Sequence, residues 1–223
     1  MKVSRKKFEN LLQKNKLVLS LIGMSNTGKT RWSQKLSLVG FKHFNCDDLV
    51  EKKLSPFLKK YGYRGIKDVA RWMGYPYEKK SFKNQQRFLN FEAQVLKNIF
   101  KKLQNVRENT VIDTTGSIVH LDEHICKTLK KKTMVVYIKA TNSMRVKMFE
   151  RYMENPKPVV FGDIFSQKKG ETEIEALKRC YPKLLNKRSK LYAKYADITI
   201  PKKILKRSMQ AKVFLSFVNK RLK

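Results

Sequence analysis

Gly23-Met24-Ser25-Asn26-Thr27-Gly28-Lys29-Thr30 decides the fold. The octet has the form G-x-x-x-x-G-K-T. It follows a short apolar run at 17–22 (LVLSLI), which has the composition of a strand buried in a parallel sheet. It opens a helical pattern at 29–39. Backbone N–H groups of a loop in this setting wrap a phosphate chain at a helix N-terminus, where the helix dipole favours anions. Gly23 and Gly28 permit close approach, and Ser25, Asn26 and Thr27 fill the curve between them. Lys29 reaches the β- and γ-phosphates, and the Thr30 hydroxyl is a Mg²⁺ ligand. A bare match to the pattern also occurs in chance turns. The strand–loop–helix context makes this one a nucleoside triphosphate loop.

Outward from the loop, short apolar runs at 41–45, 109–112, 133–138 and 197–200 read as four further strands. Helical patterns occupy 1–16, 142–154 and 173–195. Phe88, Phe91, Val95, Ile99 and Leu103, spaced three and four apart, predict a long amphipathic helix at 84–104. Leu205, Met209, Val213 and Phe217 predict a C-terminal amphipathic helix at about 204–220. Residues 48–83, with turns at YGYRG and GYPY, read as small helices of an inserted lobe. Residues 156–172 hold two Pro and two Gly and read as a mobile loop. Strands alternating with helices predict one α/β domain over 1–223, a five-stranded parallel sheet with helices on both faces. The chain is too short for tandem helicase domains and lacks an N-K-x-D guanine-reading stretch. A P-loop kinase fold fits best, with an acceptor-binding lobe at 48–83 and a lid at 156–172.

The remaining numbers bound the partners. With 223 residues, the chain should expose roughly 10,000 Å² when folded. Lys plus Arg number 51 against 18 Asp plus Glu, a formal net charge of +33. Such a field attracts nucleic acid non-specifically, and phosphorylated small molecules equally. A lysine-biased composition has the same look. Cys46, Cys126 and Cys180 form no C-x-x-C pair, which points to a reducing, cytoplasmic setting. The basic N-terminus lacks the apolar run of a secretory signal, although it is amphipathic enough for an organelle transit role. No apolar run is long enough to span a bilayer.

Residues just beyond the carboxyl ends of parallel strands line the ligand crevice. Asp47 and Asp48 follow the second strand and Asp113 the third. A kinase needs one carboxylate at the acceptor hydroxyl and another in the metal shell. Asp113, which ends an apolar strand, suits the metal shell together with the Thr30 hydroxyl. Asp47-Asp48 also reads as a helix N-cap pair. His120 and His124 are four apart, but HLDEH is not a zinc spacing, and a partly exposed polar helix is preferred. Trp32 and Trp72 read as packing. The aromatics Phe57, Tyr61, Tyr63, Trp72, Tyr75, Tyr77 and Phe82, interleaved with lysines, read as lobe packing or as a single-strand nucleic-acid platform.

From about residue 17 to 200 the chain resembles the shikimate kinase family. Besides the phosphate loop, Asn45-Cys46-Asp47 followed by Val50-Glu51 resembles the family's D-x-D and Ile-Glu. Phe88-Leu89-Asn90-Phe91-Glu92 resembles F-R-x-x-E. Thr115-Gly116-Ser117 stands where the family has three glycines. Lys157-Pro158-Val159-Val160 resembles R-P-L-L, and Arg188-Ser189-Lys190-Leu191-Tyr192 resembles R-x-P-L-Y. The resemblance implies ATP with Mg²⁺ and a small anionic acceptor. It implies that Asp47 positions or deprotonates the acceptor hydroxyl, that Arg188 grips its anionic group, that Gly116 lets it approach the backbone, and that Lys157 closes over the phosphates. Taken without the resemblance, Lys157 reads as an ordinary solvated lysine, and for Arg188 a solvated basic face stays open beside the binding role. Asn45, Leu89, Thr115 and Ser117 depart from the family, all on the acceptor side or in the metal shell. Leu89 replaces an arginine that holds the acceptor carboxylate, so shikimate is expected to be a weak substrate. The alternatives are a kinase-like binding protein of reduced activity and a nucleotide or polynucleotide kinase.

Overall fold

The computed structural model describes residues 4–63, 65–105 and 107–222, without the side chains of Ile66 and Lys67. The first three residues of the expected N-terminal helix, and Arg64 of the YGYRG turn, lie outside the described residues. Strands β1 (Val18–Ile22), β2 (Lys42–Asn45), β3 (Thr110–Asp113), β4 (Met134–Lys139) and β5 (Ile198–Pro201) form one sheet in the order β2-β3-β1-β4-β5. Every pairing is parallel. The central strands are buried on both faces because helices cover both, and side chains alternate between two cores. Leu19, Leu21, Val111, Val136 and Ile138 point one way, onto Phe8, Trp32 and Phe214. Those three belong to α1 (Arg5–Gln13), α2 (Lys29–Ser37) and α9 (Ala211–Asn219). Ile22, Ile112, Val135 and Tyr137 point the other way. That face is covered by α3 (Cys46–Lys59), α4 (Gly65–Met73), α5 (Ser81–Lys102), α6 (Glu123–Lys132), α7 (Asn142–Glu154) and α8 (Glu173–Tyr195). Among the described residues no helix is long and apolar enough to cross a membrane.

Three elements differ from the sequence pattern. The stretch assigned to an inserted lobe begins as α3, directly at the end of β2. Its Val50, Leu54 and Leu58 are buried in the main core against α5. α4 packs on α3 and α5 and buries Val69, Trp72 and Met73 in the same core. Most of the lobe aromatics are consumed by packing: Phe57 lies edge-on to Trp72, and Tyr75 stacks on Tyr77 at 5.3 Å. Tyr61 and Phe82 stay exposed, Tyr61 with its ring 5.3 Å from that of Phe57. The C-terminal helix begins at Ala211 rather than near 204, after a 3₁₀ turn at Lys202–Ile204. Leu205 is buried by that turn. The helix buries Ala211, Phe214, Leu215 and Val218, leaving Val213 exposed, so the expected face was rotated. The polar helix expected around His120 and His124 divides in two. His120 closes the 3₁₀ turn Ile118–His120, and α6 starts at Glu123 under an Asp122 cap.

Candidate active site

The loop between β1 and α2 is built from backbone conformations that side chains resist. Gly23 has φ 145°, and a Cβ there would stand 2.7 Å from the Ile138 carbonyl oxygen of β4. Gly28 has φ 97° and hands the chain into α2. Thr27 turns inward and donates its hydroxyl to the Met24 carbonyl at 2.9 Å, so it shapes the loop instead of facing a ligand. Ser25 and Asn26 are exposed at the rim. Lys29 is buried, and its ammonium donates to the Gly23 and Met24 carbonyls at 3.1 and 3.3 Å, holding it over the loop. A cavity of about 530 Å³ opens in front of Asn26, Gly28 and Thr30. Its rim carries Arg31, Arg151, Lys157, Lys202 and Arg207 with Asp47 as the single acid. This cationic rim was not foreseen, because its members come from three separate segments.

The first turn of α3 resolves the roles of the acidic pair. Asn45 is the cap: its Oδ1 accepts from the backbone N–H of Asp47 at 3.1 Å and of Asp48 at 3.4 Å. That relieves Asp47 of capping duty and leaves its carboxylate facing the crevice. Asp47 is reached by solvent but is surrounded by protein on most sides. This desolvation raises its pKa, and Lys29, then Lys157 more weakly, pull it back. Asp113 ends β3 and is 1% exposed. Neither of its carboxylate oxygens takes a hydrogen bond of normal geometry, although the Thr30 hydroxyl is near enough to favour the charged form slightly. Burial raises its pKa, and Lys29 opposes that. A buried carboxylate without donors, next to a hydroxyl at a phosphate loop, offers the hard oxygen ligands that Mg²⁺ takes alongside phosphate oxygens and water. The residues present therefore fit that ion. Among the described residues there is no cluster of three or more His, Cys, Asp or Glu that could hold a metal.

The acceptor side is a second cavity of about 300 Å³, continuous with Lys29 and lined among others by Asp47, Phe88, Gly116, Lys157 and Arg188. Gly116 lies where a methyl group would project between the Ser25 N–H and Arg188 Nη1, at 3.7 and 3.8 Å. Its carbonyl accepts from the Tyr192 hydroxyl. Arg188, in α8, is 6% exposed and not part of a solvated basic face. Its Nε donates to His120 Nε2 at 2.9 Å and its Nη2 to the Val160 carbonyl at 2.8 Å. Lys157 is exposed and overhangs both cavities. Leu89 is half-buried against the core and does not line the crevice.

Behind the crevice stands Glu92, fully buried in α5. It accepts hydrogen bonds from Thr115 and, at 2.6 Å, from Ser117, the two residues flanking Gly116. Burial pushes its pKa up to about 7, partly offset by those two hydroxyls. The hydroxyls occupy positions where the resembling family has glycines, and they satisfy this buried glutamate. Its role was invisible in sequence, since only the fold brings 92 and 115–117 together.

The comparisons with known proteins agree with this architecture. The shikimate kinase of Dictyoglomus turgidum is 27% identical over 183 residues, which is 82% of this chain and 86% of its own length. The structure of a shikimate kinase from Acinetobacter baumannii in complex with shikimate superposes with a TM-score of 0.57 at 20% identity, covering 97% of this chain and 99% of that one. The shikimate kinase of Bacteroides thetaiotaomicron gives a TM-score of 0.54 at 14% identity, covering 92% and 97%. These structures establish the shared fold. The sequence profile described as shikimate kinase matches residues 79–219, most of the chain, from the helix carrying Glu92 to the C-terminal helix. The chain belongs to the shikimate kinase family, a family of small-molecule kinases.

Proposed function

We propose that this protein transfers the γ-phosphoryl group of ATP, with Mg²⁺, to a hydroxyl of a small anionic alcohol related to shikimate. The observation that carries the proposal is the convergence of Lys29, Asp47, Gly116, Lys157 and Arg188 on one crevice of about 300 Å³ beside the phosphate loop. The loop N–H groups and Lys29 hold the triphosphate. Lys157 approaches from above and adds positive charge where the transferring group gains negative charge. The Asp47 carboxylate accepts the proton of the acceptor hydroxyl; burial raises its pKa, and Lys29 beside it opposes that rise. Arg188 binds the acceptor's anionic group, and Gly116 leaves room for it. Thr30 and Asp113 would hold Mg²⁺, which when bound neutralises charge on the phosphates.

An ADP-release assay at moderate salt, with shikimate, gluconate, nucleosides and nucleoside monophosphates as acceptors, tests this reading. The expected result is Mg²⁺-dependent turnover with an anionic alcohol. Shikimate is expected to be a weak acceptor, because Arg188 is the one guanidinium lining the crevice. Lys29→Ala should lower turnover by about 100-fold or more, the usual cost of removing one preorganised charge-stabilising donor. Unchanged turnover in that variant rejects the kinase assignment.

A further inference from the structure

Arg188 has three guanidinium nitrogens, and two are committed to the protein. Nε donates to His120 Nε2 at 2.9 Å, and Nη2 donates to the Val160 carbonyl at 2.8 Å. Nη1 has no partner among the described residues and faces the crevice at Gly116. These two bonds hold the guanidinium on two sides, with its remaining donor at the cavity. His120 is itself held firmly. It closes the Ile118–His120 turn with its N–H donating to the Ser117 carbonyl at 2.7 Å, and Ile118 and Val119 are buried beside it. Ser117 and Thr115 are in turn fastened to Glu92. The turn that presents Gly116 to the acceptor therefore also fixes the direction of Arg188.

The chemistry of the partner matters as much as its place. An imidazole nitrogen accepts a hydrogen bond only when it is unprotonated, so His120 is neutral with its proton on Nδ1. The groups facing it are Arg188, Lys187 and Asp163. Burial comes first, then the Arg188 and Lys187 charges, in keeping it neutral; Asp163 opposes them weakly, being bonded to Lys187 at 2.6 Å. A carboxylate at this position would pair with the guanidinium and screen it. A neutral imidazole orients Arg188 and leaves its full charge for the acceptor.

We propose that His120 is a positioning residue for Arg188, setting the affinity of the crevice for the carboxylate or other oxyanion of the acceptor. This rests on the kinase reading above for its ligand, but not for its geometry.

Two measurements test it separately. With shikimate as the probe acceptor, His120→Ala should raise the acceptor KM about tenfold, a loss near 1.4 kcal/mol, while the ATP KM and kcat stay within about twofold. His120→Gln, whose amide oxygen can accept from Arg188 Nε, should recover most of the loss. His120→Ala combined with Arg188→Ala should be no worse than Arg188→Ala alone. An unchanged acceptor KM in His120→Ala, equal rises in both KM values, or additive losses in the double variant would overturn the proposal. The second measurement is ¹⁵N NMR of labelled histidine, which needs no substrate. It should show His120 as the Nδ1-protonated tautomer with a hydrogen-bonded Nε2, and the bond signature should vanish in Arg188→Ala. An Nε2-protonated or cationic His120 at neutral pH overturns the proposal. Should shikimate not be turned over, the KM comparison is made with the anionic alcohol that is; should none be turned over, the acceptor reading fails and the NMR result alone decides the role of His120.

Discussion

Glu92 is the residue whose behaviour depends most on its surroundings. When ionised, it accepts from both the Thr115 and Ser117 hydroxyls. When protonated, it can donate to one of them, and the 3.1 Å contact between the two hydroxyls then closes the ring. Both states are satisfied, but burial favours the neutral one, so the folded pKa of about 7 lies above the ordinary 4.5. Between those values the folded protein holds a proton that the unfolded chain has released. The associated stability is fully present below about pH 4.5 and is lost as pH rises through 7, a change of about 3 kcal/mol. Glu92→Gln should remove that pH dependence and make the protein relatively more stable at pH 8 than at pH 5. Urea denaturation of both proteins at the two pH values measures it, and parallel changes in midpoint would show that Glu92 does not titrate in this way. The resemblance to F-R-x-x-E located this glutamate, but nothing in the linear sequence named its partners.

Among the elements, the segment at 156–172 differs most from its composition. Its prolines and glycines suggest a loop free along its whole length. In the fold, Gln85 Oε1 accepts from the N–H groups of Phe161 and Gly162 at 2.8 and 3.2 Å. Arg179 clamps Glu171 and the Ser166 carbonyl, and Thr172 with Glu175 forms a capping box at the start of α8. The Gln85 anchor comes from α5, 76 residues from Phe161, which is why composition could not announce it, whereas the α8 anchors are neighbours in the chain. Among the described residues no such side-chain anchor holds 156–159, so in the proposed reaction closure over the phosphates falls to the short stretch around Lys157. Nucleotide should therefore slow hydrogen exchange at the amides of Lys157 and Val159, Pro156 and Pro158 having none. Phe161 and Gly162 should be protected with or without it. A uniform change from 157 to 172 would mean that the whole segment closes as one lid.

At the scale of the molecule, the surface of 12,576 Å² exceeds the roughly 10,000 Å² expected for this length. Most ion pairs are exposed, such as Lys42–Glu108 and Lys194–Glu123, and each contributes about 0–1 kcal/mol. The net charge of +33 therefore acts as a field and not as a set of staples. Single-stranded DNA should bind weakly and without sequence preference. Its affinity should fall steeply between about 50 and 200 mM salt, as counterion release requires. Fluorescence anisotropy of labelled oligonucleotides across that range measures it. Salt-insensitive or sequence-selective binding would point instead to a dedicated nucleic-acid site.

The sequence alone determined the sheet, the phosphate loop and the family, because each is written in local terms. Buried parallel strands are continuous apolar runs, and the loop needs glycines and a lysine at set spacing within one octet. Tertiary structure alone decided which polar side chains meet. Asn45 rather than Asp47 caps α3; Asp113 lies buried without donors beside Thr30; Glu92 finds the hydroxyls of 115 and 117; His120 finds Arg188. The His120–Arg188 pairing alone bridges 68 residues. Such pairings follow from where packed elements come to rest, since a buried polar group takes whatever partner the fold brings within hydrogen-bond reach.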